Sequence, residues 1–235
     1  VATLLGVVGQ GVLGGMRVVL DDVVLARIHG CTGPLFFGVC VVCVAVTSRW
    51  WHTPNYVHVR DSKSIAPLCW LIFLLSYLQL VLGAHLRHVA VDTEPRVFSV
   101  IAVGHIFLGI TLLLHAGLLW ARVVMSPTLR GCPWVVAWAS ILAILFVLQI
   151  ALGVATWTVK YGWPTWLPAW SAFARFTVPE KSMMQANIVT AHVATGSLIL
   201  ISALWMGMRS LRLLRFESMR SRATTGRNVL LGVPA

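Results

Sequence analysis

Apolar positions fall into six long blocks, near 1–18, 25–47, 65–85, 97–121, 134–157 and 185–208, parted by shorter polar segments. Each block reaches the roughly 20 residues that an α-helix needs to cross a hydrocarbon layer about 30 Å thick. The runs are continuous and do not alternate with polar residues. Lipid offers no hydrogen bonds to a backbone, so the pattern predicts self-satisfied helices and excludes a membrane barrel.

The polar residues inside the blocks repeat. A His followed four residues later by a Gly occurs as His29 with Gly33, His105 with Gly109 and His192 with Gly196. Each of these blocks follows one that ends in Gln-x-x-Leu-Gly, at Gln10 to Gly14, Gln79 to Gly83 and Gln149 to Gly153. The chain therefore reads as three copies of one helical hairpin. The expected fold is an all-α integral membrane protein with six transmembrane helices.

Composition agrees. With 58% hydrophobic residues, 11% charged and a mean hydropathy of +0.86, the chain is too apolar for one soluble core and expects a lipid bilayer as its partner. The net charge of +11 would suggest nucleic acid in a soluble protein. Here the bases lie between apolar runs, where they set topology, and nucleic-acid binding is excluded as a reading. Segments 48–64, 122–133 and 209–235 hold eleven bases against Asp61 and Glu217, whereas the other side holds seven bases against five acids. The positive-inside rule then makes the basic tail, 209–235, cytoplasmic, and sends the three His-bearing helices from outside to inside. The outer loop 158–180, with Trp163, Trp166 and Trp170, reads as an interfacial aromatic belt or as an entry ramp for a greasy substrate. None of the five cysteines suggests a disulfide pair, and Cys40 and Cys43 are expected to be small packing residues. The chain starts at Val1, already inside an apolar run, and is expected to be clipped at its N-terminus.

A titratable imidazole in hydrocarbon is costly, so an intramembrane His is a functional candidate by default. His105 and His192 lie eight and seven residues into their spans, which at ~1.5 Å per residue puts both some 10–12 Å below the outer surface. In an up-down bundle of the last four spans their helices are parallel and diagonal, with axes roughly 12–14 Å apart. That gap suits a haem held edge-on between two imidazoles. A bare metal is disfavoured, because no Asp, Glu or Cys shares that depth. Gly109 and Gly196, one turn along from each His, are expected to clear space for the macrocycle. His115 is expected to make a helix contact, and His52 and His58 to be solvated. His85 and His88 flank Arg87, which is a candidate for a haem propionate, as are Arg17, Lys160, Arg175 and Lys181.

The Gln-x-x-Leu-Gly hairpin ends, the Gly-Ala-His-Leu-Arg-His stretch at 83–88 and the spaced His-bearing helices resemble haem A synthase, the membrane enzyme that oxidises haem O to haem A for terminal oxidases. That family has eight helices in two pseudo-symmetric four-helix bundles, each with an axial His pair. The resemblance covers the chain to about residue 215 and matches helices three to eight. It implies one complete bundle, 65–208, holding a b-type haem between His105 and His192. It makes 1–47 a hairpin of the first, substrate-haem bundle, joined through a cytoplasmic linker, 48–64. His29 becomes the catalytic-side axial ligand to haem O, its partner absent. The implied reaction hydroxylates a methyl group of haem O and loses water to leave a formyl group. An electron donor is implied, and haem O synthase or a terminal oxidase are implied as partners.

The sequence departs from the family in lacking its first two helices, with the fourth ligand and a nearby carboxylate, and in lacking a Cys pair in the loop 88–97. Two rival readings stay open: a bis-His membrane b-type cytochrome for electron transfer, and a non-catalytic haem carrier or oxidase assembly protein.

Overall fold

The computed structural model describes residues 1–52, 62–90, 92–163 and 182–230, without the side chains of 62–64 and 213–230. Every regular element among them is a helix: α1 (Ala2–Val19), α2 (Val23–Thr47), α3 (Arg49–His52), α4 (Ser62–Arg87), α5 (Pro95–Met125), α6 (Pro127–Arg130), α7 (Pro133–Tyr161) and α8 (Met183–Leu230). Six of these helices are long and apolar enough to cross a membrane.

Local chemistry sets their ends. Asp22 caps α2, its carboxylate accepting from the Leu25 amide at 2.8 Å, which satisfies an amide that the first turn cannot. Pro95, Pro127 and Pro133 open α5, α6 and α7 at a position where a missing N–H costs nothing. Gly162, at φ +82, stops α7 in a left-handed conformation that a side chain would resist. α5 and α7 extend up to four residues beyond the apolar blocks at either end, although the Val, Thr and Tyr of those flanks are weak helix formers, because adding a turn to an existing helix is easier than nucleating one. The basic segment after Met208 is also helix, continuing α8 to Leu230.

α4 packs on α5 and α8, and α7 packs on the same two helices. Their shared core is built from Cys69 and Ile72 of α4, Leu112, Ala116, Leu119 and Val123 of α5, Val135, Ala139, Leu142 and Phe146 of α7, and Ile199, Ala203 and Met206 of α8. The α5 and α7 positions step by four, three and four residues, which keeps one narrow stripe of each helix on the seam. Cys69, Ala116, Ala139 and Ala203 put a small residue on each helix there. Small residues let backbones approach, which matters in lipid because tails are as apolar as the helices they would release.

α1 touches chiefly α2 and buries none of its residues. α2 reaches the rest through α8 and α4. At the end of α2, Ala45 packs with Leu204 and Met208, ringed by Trp50, Trp51, Trp70 and Trp205. Arg209 lies 4.1 Å from the Trp134 ring centre and 5.0 Å from that of Trp50. Arg212 donates to the Trp51 carbonyl at 2.6 and 2.9 Å. These cation–π and charge-assisted contacts fasten the α2–α3 end to α8.

Leu119 is fully buried at the centre of the shared core. Leu119→Ala is expected to destabilise the protein by about 2–5 kcal/mol through lost contacts and the cavity left behind. Reversible unfolding in detergent measures this, and a loss below about 0.5 kcal/mol would contradict the placement.

Candidate functional site

Among the described residues the buried core occupies one half of the length shared by α4, α5, α7 and α8. It comprises the first half of α4 and α7, the later part of α5 and the middle of α8. The other half holds His105 from α5 and His192 from α8. Their ring centres are 6.4 Å apart, and the ring planes are inclined at 66°. Each Nδ1 is buried without a hydrogen-bond partner. The two level histidines thus meet across the helices. His29 stays in the first hairpin, and its Nδ1 is likewise buried and unpaired.

The hairpin repeat explains how each imidazole is seated. A Cβ added to Gly83 would stand 3.2 Å from Cε1 of His105, one on Gly153 would stand 3.2 Å from Cε1 of His192, and one on Gly14 would stand 3.1 Å from Cε1 of His29. The glycine closing each Gln-x-x-Leu-Gly therefore makes room for the histidine of the next helix. The reverse also holds. A Cβ on Gly109 would meet Nε2 of Gln79 at 3.2 Å, and one on Gly196 would meet Nε2 of Gln149 at 3.2 Å. The side-chain amides of Gln79 and Gln149 thus lie in the space that Gly109 and Gly196 open. The Gln79 amide crosses Gly109 to donate to the His105 carbonyl at 2.9 Å. Gln10 donates to Thr32 Oγ1 at 2.7 Å in the first hairpin. In an antiparallel pair Gln then Gly on one helix faces Gly then His on the other, so the two gaps are complementary. The glutamines and the closing glycines are the site residues that sequence reasoning left unassigned, and the antiparallel order of the two motifs was the signal for them.

Comparison with protein-family models, with curated proteins and with solved structures finds no match. The site is therefore read from its own chemistry.

The remaining histidines differ from these three. Nδ1 of His85 lies 2.8 Å from the Val81 carbonyl and Nδ1 of His115 lies 2.7 Å from the Thr111 carbonyl, so both are bonded within their own helices. His52 is exposed, and His58 lies outside the described residues. No group of three or more His, Cys, Asp or Glu side chains gathers among the described residues. The five cysteines are free. Cys40 lines an apolar cavity of ≈ 260 Å³ with Phe37, Trp138 and Trp205, at the core end of the helices and away from the imidazoles.

Cations collect at the C-terminal end of α4, just beyond Gly83. Arg27 donates twice to the His88 carbonyl, at 2.7 and 3.0 Å. Lys160 donates to the carbonyls of Leu86 and Arg87 at 2.8 and 3.0 Å, and Tyr161 Oη donates to Leu86 at 3.0 Å. These groups satisfy carbonyls that a helix end leaves open and oppose its negative dipole end. Lys160, expected to be a propionate partner, thus already has two carbonyl acceptors. Arg87 is exposed there, and Arg17 has a buried Nε without a partner. Arg175 and Lys181 lie outside the described residues.

His88 sits among these cations. Burial first, then the charges of Arg87, Arg17, Lys160 and Arg27, push its pKa down from 6.5 to about 4. The folded chain therefore holds His88 neutral between about pH 4 and 6.5, where the unfolded chain binds a proton, so this end of α4 loses stability as pH falls through that window. A ring-resolved NMR titration of His88 should give a midpoint near 4. A midpoint near 6.5 would show that the cations do not converge on it.

Proposed function

We propose that the chain is a haem-binding membrane oxidoreductase of the haem A synthase kind. The observation that carries this reading is the spacing of His105 and His192. Two imidazoles that ligate one iron from opposite faces, at about 2 Å each, have ring centres about 6 Å apart. The 6.4 Å between the two rings fits that requirement. Two further features support a haem. Among the described residues, the half of the helices around the imidazoles adds nothing to the tight core of the other half. Arg17 and Arg87 lie at the end towards which carboxylates would point, and Arg pairs well with carboxylates.

In this reading α4, α5, α7 and α8 form a complete four-helix bundle for one b-type haem. α1 and α2 are a hairpin of a second, pseudo-symmetric bundle, in which His29 faces the substrate haem O. The α4 C-terminal end is outside and the basic tail is cytoplasmic. His105 and His192 supply Nε2 ligands, and Arg87 and Arg17 balance propionate charge. Lipid and the apolar core keep water from the ring faces. The haem, when bound, supplies the one-electron and O₂ chemistry, fed by an electron donor. Haem O synthase and a terminal oxidase are the proposed neighbours in the supply of haem O and the use of haem A.

One observation favours a second reading, a bis-His electron-transfer cytochrome. Among the described residues one pair of imidazoles meets, and His29 joins no such pair. Chromatography of extracted haem separates the two readings. Haem A formed by residues 1–235 from supplied haem O marks the enzyme. Haem B alone, at one per chain, even when a His-bearing helical hairpin is supplied upstream of Val1, marks the cytochrome.

Either reading requires the same ligands. His105→Ala or His192→Ala should abolish the low-spin b-type spectrum of the purified protein, and His115→Ala should leave it intact. Retention of the spectrum in His192→Ala would sink the pairing.

A further inference from the structure

All three motif histidines share an unusual state. Nδ1 of His29, His105 and His192 is buried without a bonded partner, whereas His85 and His115 turn Nδ1 to the carbonyl four residues earlier in their own helices. The three also share what faces them. Each ring lies against the glycine four residues after a Gln: a Cβ on Gly14 would stand 3.6 Å from Nδ1 of His29, and one on Gly83 or Gly153 would stand 3.8 Å from Nδ1 of His105 or His192. Each Gln lies within a helix, where its N–H is taken by the turn before it. Its carbonyl retains a second lone pair after serving the turn that follows. That lone pair is normally screened by the side chain four residues on. Here residue i+4 is Gly14, Gly83 or Gly153, so an imidazole can reach it.

We propose that Gly83 and Gly153 are positioning residues, which open the main-chain carbonyls of Gln79 and Gln149 to Nδ1–H of His105 and His192. A carbonyl accepts only a proton, so this contact fixes the neutral imidazole as the Nδ1–H tautomer. Nε2 is then left with its lone pair turned toward the opposite ring. The bond made by one ring nitrogen determines what the other can do. The Gln79 side chain closes the pair from the other side, since its amide holds the His105 carbonyl. Residues 79 and 105 are thereby joined at two points, which sets both the height of the histidine and the rotation of its ring. The first hairpin carries the same parts in Gln10, Gly14 and His29, so His29 is held as a ligand of the same tautomer.

The proposal has an arm that rests on the haem reading and an arm that does not. In the first, the oxidised full chain is studied by low-temperature electron paramagnetic resonance. Gly83→Ala and Gly153→Ala each place a methyl about 3.2 Å from Cε1 of the ring, tighter than ordinary contact, so the imidazole must turn. Both variants should keep a low-spin haem while the largest g value and the reduction potential shift. Gly104→Ala, where a Cβ meets nothing within 4 Å, should shift neither. A haem retained with unchanged g values and potential in both variants would overturn the proposal. In the second arm, ¹⁵N NMR of the haem-free full chain in lipid reads the tautomer of His105 and His192 directly, whether or not haem binds and whether or not the variants fold. Protonated Nδ1 with free Nε2 is expected. Protonated Nε2 would overturn the proposal and leave the haem reading standing.

Discussion

A helix pair in lipid can hold an imidazole between its members only if the facing helix gives up a side chain, and that exchange governs this molecule. Gly83 yields to His105 and Gly109 yields to Gln79, while Gly153 and Gly196 do the same for His192 and Gln149. Without those gaps the hairpins would be forced apart, and an interhelical hydrogen bond worth on the order of 1 kcal/mol in a membrane could not form. Because the exchange is made twice with the same spacing, it sets the two imidazoles at one level. The α4–α5 and α7–α8 hairpins then bring them to 6.4 Å.

The rest of the interior follows from where that level lies. Toward one end the four helices close on a dry seam, with Cys69, Ala116, Ala139 and Ala203 drawing the backbones together. Toward the other end no such seam forms among the described residues, and the termination of α4 draws in Arg27, Lys160 and Tyr161 to satisfy its last carbonyls. Burial, aided by the gathering of Arg27 and Lys160 beside Arg17 and Arg87, keeps His88 uncharged. A tight half, a pair of facing imidazoles and a basic end form a sequence along one axis. The proposed haem would draw on all three parts, and a bare ion on the imidazoles alone.

The six helices were legible because hydrocarbon thickness dictates their length and apolar runs reveal it directly. Their ends were less so, since α5 and α7 continue into flanks that are polar yet helical. The histidines stood out because they break apolar runs in three equivalent places. What lies against the glycines was not legible for a reason specific to helices: periodicity tells which residues share a face, but not what the neighbouring helix sends toward it. Gly109 lies one turn from His105 on one face, and the group that occupies its space is Gln79, from α4. Reading the two motifs in antiparallel order would have paired Gln79 with Gly109 and Gly83 with His105. Nothing in the sequence marked Lys160 as a helix-end donor, because the carbonyls it meets lie 73 and 74 residues away.

The central claim is that His105 and His192 ligate one iron from opposite sides. Near-infrared magnetic circular dichroism of the purified, oxidised full chain tests it most directly, since the charge-transfer band of a low-spin haem reports the chemical identity of both axial ligands. A bis-imidazole band, at one haem per chain, is the result the account predicts. A haem bound through one imidazole and a ligand of another kind, or a folded chain that takes up no haem when it is supplied, would contradict it.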